Sequence, residues 1–438
     1  MNTHASRRSR VLQISYACHP GMNSEPGVGW NRAVQSAKYC DTWVICELQY
    51  SSDIERYLSQ HGPVAGLHFF YVRTLRLEWL LMQVPGCFYL SYHFWHLRAQ
   101  RIAKRLHQQH QFDLVHQVGY CGYREPGYGW KLKIPFIWGP VGGTQNLPVR
   151  FTFCLGGWKG IGEWCRSLIN SLQMRTSRRV FHALRVAKVV IAANSTNQAD
   201  LSRMAGRPVE QFFEAGCSPE DGVPERSDRS TLRLLWSGQL EAWKAFPLLL
   251  RSLARQKGSL PFELTVIGQG SQQARWQSMS NQLGLAQHIR WLGALQPAEA
   301  RLHFASAHAL VFTSLRDTTG SALFQALEVG LPIVCLDHQG AKDIVTSACG
   351  IKVPVESPQQ VVQDLASALH DLYHLSNEDY DAMTGNALRR ARELSWERLG
   401  ERINHIYDRV LGRSEATSTD LADNDEFMLA ESDSGSES

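Results

Sequence analysis

The chain has 438 residues, of which 44% are hydrophobic and 20% are charged, and its formal net charge is +4. This is ordinary globular composition, and the length is sufficient for two or three domains with complete hydrophobic cores. Residues 414–438 contain eight acidic side chains and no Lys or Arg, so the rest of the chain carries +12 instead of +4. A basic body of this kind indicates an anionic partner: phosphates, an acidic membrane surface or nucleic acid.

Cysteine spacing and hydropathy exclude several classes of protein. None of the ten cysteines forms a Cys-x-x-Cys pair, which argues against zinc-finger and thioredoxin-type sites and favours a reduced cytoplasmic protein. No apolar run has the form of a signal peptide, and no stretch of about 18 apolar residues is long enough to span a membrane. We therefore expect a cytoplasmic protein that is soluble or bound peripherally at the inner face of the plasma membrane.

Apolar segments alternate with helical patterns along the first half of the chain. The first predicted strand, residues 11–16, leads into a loop that contains Gly27 and Gly29, and a helical pattern follows over residues 30–39. Further buried parallel strands are predicted at residues 43–46, 67–72, 114–118, 136–139 and 189–192.

The same order of strand, glycine turn and helix restarts near residue 231. A strand at 232–236 leads into Ser237-Gly238 and a helical pattern over 245–254. Further strands are predicted at residues 263–267, 289–292, 309–313, 333–336 and 351–353. Alternating strands and helices predict a parallel sheet covered by helices, so the restart predicts two such sheets.

These patterns predict an α/β protein with two doubly wound, Rossmann-like domains. The domains are expected at residues 10–215 and 230–390, with a polar linker at 216–229 and the functional cleft at the carboxyl ends of the strands. A helix at 395–412 is expected to pack back on the first domain. Residues 414–438 are too acidic and polar to bury a core and are predicted to be disordered.

The most informative segment, residues 312–336, has the pattern of strand, polar loop, helix, glycine and strand. Asp317 stands just before the helix, where its carboxylate is positioned to bind sugar hydroxyls. Thr319 or Ser321 is expected to cap the helix. The free N–H groups and positive dipole end of its first turn then form a site for a diphosphate.

This segment resembles the C-terminal domain of glycosyltransferase family 4, whose members are retaining enzymes of the GT-B fold. The family carries two glutamates in a Glu-x-Phe-Gly-x-x-x-x-Glu segment, followed by a Gly-x-Pro that corresponds here to Gly330 and Pro332. In this register the glutamates become Asp317 and Gln325, and the family glycine is Gly320. The resemblance implies that Asp317 binds the donor sugar and that Gln325 bonds the nucleotide ribose without the family's charge.

A second stretch resembles the family's clamp on the donor phosphates. In the family an Arg and a Lys, separated by a short turn, bind the diphosphate. Lys244 is retained in this chain, whereas Gln239 replaces the Arg. The resemblance therefore implies a donor site with one cation of the clamp missing.

Glycines complete the implied donor site. Gly268 follows a predicted strand as in the family, and Gly293 closes a segment whose backbone reads the edge of the base in family members. Gly27 and Gly29 resemble the family's first glycine loop, which closes over the donor from across the cleft.

The first domain is implied to hold the acceptor. His116 lies in a segment that resembles the acceptor-side strand end of the family, although the family's more important histidine position is Val118 here. His116 is expected to orient the acceptor, and a structural histidine is the alternative. Gly142 and Gly143 resemble a cleft-facing loop of polysaccharide-assembly members, where glycine lets the backbone approach a substrate.

Residues 151–190 are basic and amphipathic. Glu163 is the only acid in this stretch, and apolar side chains are interleaved with seven cations: Lys159, Arg166, Arg175, Arg178, Arg179, Arg185 and Lys188. We interpret the stretch as an interfacial segment that meets anionic headgroups and a lipid-linked acceptor. A solvated helical face is the alternative. Nucleic acid is not expected, because the aromatics do not form a recognised binding module.

The resemblance implies transfer of a sugar from a UDP- or GDP-linked donor to a glycan or lipid-linked acceptor, with retention, in polysaccharide or exopolysaccharide biosynthesis. No cofactor is implied, and the predicted site has no Asp-x-Asp pair of metal-binding type, so we expect a metal-independent enzyme. Lys244 and the N–H groups of Ser321 and Ala322 would stabilise the departing diphosphate.

Four alternatives remain open at this stage. A catalytically weak or inactive protein that binds sugar nucleotides or glycans is favoured by the two glutamines, Gln239 and Gln325. An inverting transferase and a glycogen-synthase-like polymerase are the nearest enzymatic alternatives. A nicotinamide or flavin oxidoreductase is disfavoured, because the first strand is not followed by Gly-x-Gly-x-x-Gly.

Overall fold

The computed structural model describes residues 7–413 except 23–24, 85–86, 121, 153–156, 220–221, 223–225 and 227–228. The predicted disordered segment 414–438 and part of the predicted linker 216–229 therefore lie outside the described residues. Within the described ranges, two parallel sheets of seven and six strands are covered by helices. This confirms the predicted fold class.

The first sheet has the strand order β3-β2-β1-β4-β5-β6-β7, and every pair in it is parallel. Its strands are β1 (Arg10–Ile14), β2 (Asp41–Glu47), β3 (Leu67–Val72), β4 (Leu114–Gln117), β5 (Phe136–Val141), β6 (Val189–Ala192) and β7 (Glu210–Gln211). Its helices are α1 (Glu25–Tyr39), α2 (Ser51–His61), α3 (Arg76–Gln83), α4 (Phe88–His110), α5 (Val149–Thr152), α6 (Gly157–Thr176), α7 (Arg178–Val186) and α8 (Ser195–Ala205).

The second sheet has the strand order β10-β9-β8-β11-β12-β13 and is also parallel throughout. Its strands are β8 (Leu232–Ser237), β9 (Phe262–Ile267), β10 (Ile289–Gly293), β11 (Ala309–Phe312), β12 (Ile333–Leu336) and β13 (Gly350–Val353). The helices that follow β8 are α9 (Phe246–Arg255), α10 (Gln273–Gln282), α11 (Pro297–Ser306), α12 (Ser321–Glu328), α13 (Gln339–Ile344), α14 (Pro358–His374), α15 (Asn377–Glu393) and α16 (Trp396–Val410).

The predicted strands are all present, within a few residues of the expected bounds. Two details differ from the prediction. The two-residue strand β7 was not predicted, because a segment this short has no periodicity to recognise. β3 is the edge of its sheet and only its last residue, Val72, is fully buried, so it is not the buried strand that was predicted.

The predicted glycine loop before the first helix is wrong. Helix α1 begins at Glu25, so Gly27 and Gly29 lie in its first turns. A Cβ atom on Gly27 would stand 1.7 Å from the carbonyl oxygen of Met22, and one on Gly29 would stand 2.0 Å from that of Ala17. These two glycines therefore let the start of the helix lie directly against the segment that follows β1.

The last helix, α16, packs against α1 of the first domain although it follows the second sheet. Tyr407 on α16 is 1% exposed, and its hydroxyl lies 2.7 Å from Nδ1 of His116 on β4. Nε2 of Gln13 on β1 donates to the same hydroxyl at 3.3 Å. The chain thus returns to the first sheet after building the second, and a continuous core joins residues of both sheets with α16.

Among the described residues, no helix combines the length and apolar character needed to cross a membrane.

Replacing Tyr407 with Phe removes the hydroxyl that joins α16 to β1 and β4. We expect the free energy of unfolding to fall by about 1–3 kcal/mol, because buried polar atoms of His116 and Gln13 lose their partner. Urea denaturation measures the change. Tyr373→Phe is the matched control, since its hydroxyl makes only an exposed 3.4 Å bond to the carbonyl oxygen of Ser230. Equal effects of the two substitutions would contradict the proposed importance of this contact.

Candidate functional site

Glycine corners bring together the carboxyl ends of three strands in the second sheet. Gly268 follows β9 with φ of +130°, and a Cβ atom there would stand 1.9 Å from the carbonyl oxygen of Gly238, which follows β8. The N–H of Gly268 donates to the carbonyl oxygen of Gly293, at the end of β10, at 2.7 Å. A side chain at position 268 would therefore push these strand ends apart.

The structure pairs Lys244 with Asp317 at this edge. Lys244 follows β8 and Asp317 follows β11, and the ammonium and carboxylate form an ion pair. The carbonyl oxygen of Lys244 accepts from the Thr313 hydroxyl at 2.8 Å. The N–H of Asp317 donates to Oε1 of Gln339 at 2.8 Å. Two predicted site residues that are far apart in the sequence are thus adjacent, and both are held through their backbones.

The pair is accessible from one side and has apolar packing on the other. The side chains of Lys244 and Asp317 are 14% and 24% exposed. The Lys244 ammonium also lies 5.4 Å from the centroid of the Phe312 ring. Gln239, at the position that the family resemblance assigned to the second cation of the clamp, is exposed. Asp317 therefore neutralises the cation that the resemblance assigned to a phosphate.

Helix α12 begins next to this pair, and its cap differs from the prediction. Gly320 is the N-cap, with φ of +86°, and no side chain bonds the first turn. Capping by Thr319 or Ser321 is therefore wrong: the Thr319 hydroxyl donates to Glu214 instead, at 2.7 Å, and Ser321 is exposed. The N–H of Leu323 donates to the carbonyl oxygen of Gly320 at 3.0 Å. Within the described part of the chain the N–H groups of Ser321 and Ala322 have no such bond, so these two stay available to a ligand.

The other residues assigned to this helix have separate surroundings. Ala322 is buried, and Gln325 is partly exposed one turn further along. Glu328 accepts from the N–H of Ser218 at 2.6 Å and lies 3.8 Å from Arg301. Gln325 is therefore placed on the same helix as the proposed diphosphate site, whereas Glu328 is already used within the fold.

Gly142 lies against the loop that carries Asp317, and Gly143 is joined to that loop through Gln145. A Cβ atom on Gly142 would stand 2.5 Å from the side chain of Thr318. The N–H of Gly143 donates to the side chain of Gln145, whose Nε2 donates to the Thr318 hydroxyl at 2.8 Å. Nδ2 of Asn194 donates to the carbonyl oxygen of Thr318 at 2.6 Å. The glycine segment of the first domain thus positions the loop of the second domain.

His116 is not a cleft residue, which corrects its assignment to the acceptor. It is fully buried, and Nε2 lies 2.7 Å from the carbonyl oxygen of Gly139 while Nδ1 lies 2.7 Å from the Tyr407 hydroxyl. Since a carbonyl only accepts, Nε2 carries the proton and Nδ1 accepts from Tyr407. Burial lowers the pKa of His116 to about 3, so the ring is neutral. It braces β4, β5 and α16, as in the structural alternative.

Sequence reasoning missed Glu214, which lies where the two domains meet. It follows β7, accepts from Thr319, and its carbonyl oxygen accepts from the buried Arg32 at 3.3 Å. Burial raises the pKa of its carboxyl from 4.5 to about 7, and the Thr319 hydrogen bond lowers it. Repulsion from Glu25 and Asp317 raises this pKa further, whereas Arg32 lowers it. The only sequence signal was an acid directly after two phenylalanines.

No group of three or more His, Cys, Asp or Glu side chains among the described residues is arranged to hold a metal ion.

Replacing Glu214 with Gln should change how stability depends on pH. The folded protein keeps the Glu214 proton up to a pKa of about 7, whereas the unfolded chain loses it near 4.5. The contribution of Glu214 to the free energy of unfolding is therefore fully present below 4.5 and is lost as pH rises through 7. We expect Glu214→Gln to have a higher melting temperature than the parent protein at pH 8, and the difference to shrink toward pH 5.

Differential scanning fluorimetry from pH 5 to pH 8.5 measures this difference. Glu263→Gln is the control, because Glu263 is exposed on β9 and its substitution should give no such pH dependence. A constant difference between Glu214→Gln and the parent across this range would contradict the raised pKa.

Comparison with known proteins identifies the family of residues 222–390 and the fold of nearly the whole chain. Residues 222–390 match the sequence profile of the family described as "Glycosyl transferases group 1". The O-antigen chain mannosyltransferase B of Escherichia coli is 24% identical over 241 residues. That match covers 50% of this chain and 60% of the mannosyltransferase, so the chain matches less than two thirds of this relative's length.

Solved structures match nearly the whole chain. A lipopolysaccharide outer core galactosyltransferase in its apo form has a TM-score of 0.60 at 14% identity, and the match covers 91% of this chain and 99% of that one. An Anabaena protein solved in complex with UDP-glucose has a TM-score of 0.56 at 14% identity, with the same coverage. Residues 222–390 thus form a glycosyl transferases group 1 domain, in a chain that has the two-domain GT-B fold throughout its two sheets.

Proposed function

We propose that this protein transfers a sugar from a nucleotide-diphosphate sugar to a glycan or lipid-linked acceptor during polysaccharide biosynthesis. The observation that carries the proposal is the Lys244–Asp317 ion pair beside the free N-terminus of α12. A cation, a carboxylate and unpaired N–H groups at one sheet edge match the diphosphate and sugar hydroxyls of such a donor. The group 1 domain at residues 222–390 supports the same function.

The chemistry assigned to this site is electrostatic. When the bond between the anomeric carbon and the diphosphate oxygen breaks, negative charge grows on the departing diphosphate. Lys244 and the N–H groups of Ser321 and Ala322 would stabilise that charge, so the proposed reaction needs neither a cofactor nor a metal ion. The diphosphate would draw Lys244 away from Asp317, whose carboxylate then becomes free to accept from hydroxyls of the donor sugar.

The nucleotide would lie across the glycine corners. Gln325 is partly exposed on α12 and offers both a donor and an acceptor to ribose hydroxyls. Gly268 and Gly293 would leave backbone groups accessible to the base, and Gln239 would bond the diphosphate as a neutral group. The Anabaena structure with UDP-glucose supports a UDP-linked donor, and a GDP-linked donor is the alternative within the same proposal.

Retention at the anomeric carbon and the polysaccharide context are further parts of the proposal. Retention follows from the resemblance to family 4. The context is supported by an O-antigen mannosyltransferase and a lipopolysaccharide galactosyltransferase among the similar proteins.

Peripheral attachment to the inner face of the plasma membrane is also proposed, through the 151–190 segment. Helix α6 in this segment exposes five large apolar side chains: Ile161, Trp164, Leu168, Ile169 and Leu172. An exposed apolar row of this length on a basic segment matches a helix that lies in the membrane interface. Part of the basic charge is neutralised locally, because Glu163 pairs with Arg166 and Arg316, each at 3.0 Å.

A protein that binds sugar nucleotides with weak or no turnover is the second candidate. It is favoured by two neutral residues, Gln239 and Gln325, and by the prior pairing of Lys244 with Asp317. Sustained release of nucleoside diphosphate in the presence of an acceptor would exclude it.

Replacing Lys244 with Ala tests the donor site. We expect the dissociation constant of the best nucleotide-sugar donor to rise by about tenfold or more, since a charge-assisted hydrogen bond contributes roughly 1.5–3 kcal/mol. A thermal-shift panel of UDP- and GDP-linked sugars first identifies that donor, and calorimetry then measures its affinity. Lys257→Ala, an exposed lysine of the same domain, is the control and should bind as the parent does. If Lys244→Ala bound the donor with unchanged affinity, the assignment of the diphosphate to Lys244 would be wrong.

The anomeric configuration of the product tests retention. With an α-linked donor, we expect the new glycosidic bond to be α as well. Proton NMR of the product gives the coupling constant that distinguishes the two anomers, with the hydrolysed donor as a reference. A β-linked product would show inversion and contradict this part of the proposal.

A further inference from the structure

A cavity of about 860 Å³ opens on the first domain, lined by none of the residues of the Lys244–Asp317 site. Its lining includes Tyr16, Glu47, Arg73 and Tyr120, which lie at or just after the ends of β1, β2, β3 and β4. These four strands are neighbours in the sheet, in the order β3-β2-β1-β4. The cavity therefore lies over the carboxyl edge of the first sheet, where doubly wound domains bind their ligands.

Two arginines give the rim of this cavity its charge. Arg73 and Arg76 are exposed, and within the described ranges neither guanidinium has an ion-pair or hydrogen-bond partner. Glu47 also lines the cavity, but its carboxylate already accepts from the N–H groups of Gln49 at 2.5 Å and Thr74 at 3.0 Å. The rim thus offers two uncommitted guanidinium groups, whose geometry matches the oxygens of a phosphate.

Helix α3, which forms one wall of the cavity, exposes its apolar side chains. Leu77, Trp79 and Leu80 are each more than half exposed, whereas the acidic Glu78 is buried. Glu78 pairs with Arg98 of α4, so a buried ion pair anchors the helix. This is the reverse of an ordinary surface helix, which buries its apolar stripe and exposes its charges. A patch of this kind marks an interaction surface.

The exposed apolar surface continues from α3 toward α6. Leu90 and Phe94, near the start of α4, are also exposed. Arg124 joins the two regions: it donates to the hydroxyl of Tyr89 on α4 at 3.4 Å and to Oε1 of Gln173 on α6 at 2.7 Å. The apolar residues of α3, α4 and α6 therefore lie in neighbouring parts of one domain, with the cavity beside them.

We propose that the cavity binds the phosphate of a lipid acceptor and that α3 inserts among the hydrocarbon chains of the membrane. Arg73 and Arg76 would hold the phosphate at the level of the headgroups, with Trp79 at the interface beside them. The bound lipid is an acceptor only if the proposed transferase function holds, so the inference rests on that function. It adds the chemical class of the acceptor and the place where it binds.

Charge and polarity together select this occupant. A water-soluble sugar phosphate would leave the apolar side chains of α3 without a partner. A neutral lipid would leave the two arginines without one. An anionic amphiphile satisfies both, and a phosphorylated lipid in a membrane is the simplest compound of that class.

Vesicle flotation with the full chain tests the proposal. The probes are vesicles of phosphatidylcholine that contain either a polyprenyl phosphate or phosphatidylglycerol, matched in surface charge. We expect the parent protein to bind the polyprenyl phosphate vesicles about tenfold more tightly, as for one charge-assisted hydrogen bond. The reason is that a phosphate monoester offers the two arginines one more unesterified oxygen than the phosphodiester of phosphatidylglycerol does. Arg73→Ser combined with Arg76→Ser should lose this preference while still binding both kinds of vesicle. Leu77→Ser combined with Trp79→Ser should weaken binding to both.

The matched control is Arg255→Ser combined with Leu302→Ser, which removes an exposed arginine and an exposed leucine from the second domain and should bind as the parent does. All four altered residues of α3 and its approach are exposed, so melting temperatures should stay unchanged. Equal binding of the parent to the two anionic vesicles would indicate a membrane surface without an acceptor site and overturn the proposal. The proposal would also be overturned if the parent protein bound neither kind of vesicle but formed a dimer, and if Leu77→Ser combined with Trp79→Ser dissociated that dimer.

Donor binding is measured on the same variants. Lost lipid preference with unchanged stabilisation by nucleotide sugars would support the assignment of the cavity. A parent protein that binds the lipid but no nucleotide sugar would defeat the proposed function and leave the lipid site standing. The two failures are therefore distinguishable.

Discussion

The geometry of the candidate site depends on one loop that both domains hold. Thr318 is fixed from the first domain by Gln145 and Asn194, and Gly142 lies so close that no side chain would fit. From the second domain, Gln339 bonds the N–H of Asp317. Asp317 and the start of α12 are therefore placed by contacts on both sides of the interface. A change in domain orientation would therefore move the Asp317 carboxylate relative to Lys244. In this way the arrangement of the two domains would affect the net charge of the proposed donor site.

The strand positions could be predicted because a parallel sheet covered on both faces leaves short apolar runs between glycine turns. Pairing Lys244 with Asp317 was not predicted as such, although both residues were expected in the donor site. Lys244 and Asp317 are adjacent because β8 and β11 are neighbours in the sheet. The periodicity of apolar residues does not predict which strands are neighbours. Gly268 and Gly320 could be assigned because both stand where family 4 carries a glycine, and both have a positive φ in the structure.

His116 and Glu214 show where sequence patterns stop being informative. His116 lies within the apolar strand β4 and Glu214 follows two phenylalanines. A sequence pattern does not reveal whether such a polar residue faces a cleft or a core. His116 has a structural role because α16 places Tyr407 against it. The two residues are 291 positions apart in the sequence. Burial raises the pKa of Glu214, and its hydrogen-bond partner Thr319 comes from the second domain, 105 positions away. Both outcomes are set by long-range packing, which local pattern does not encode.

Because His116 is buried in the core, the site expected for the acceptor also changes. The predicted acceptor side lay at the end of β4 and in the glycines after β5, but these residues brace α16 and the Thr318 loop. A cavity of about 860 Å³ lies instead above β3, β2, β1 and β4, next to the exposed side chains of α3. The proposed lipid acceptor would not need to enter the interface between the domains. It would bring only its terminal sugar to the cleft, while its phosphate and hydrocarbon would stay at the rim of the cavity and on α3, where the arginines and the exposed apolar side chains lie.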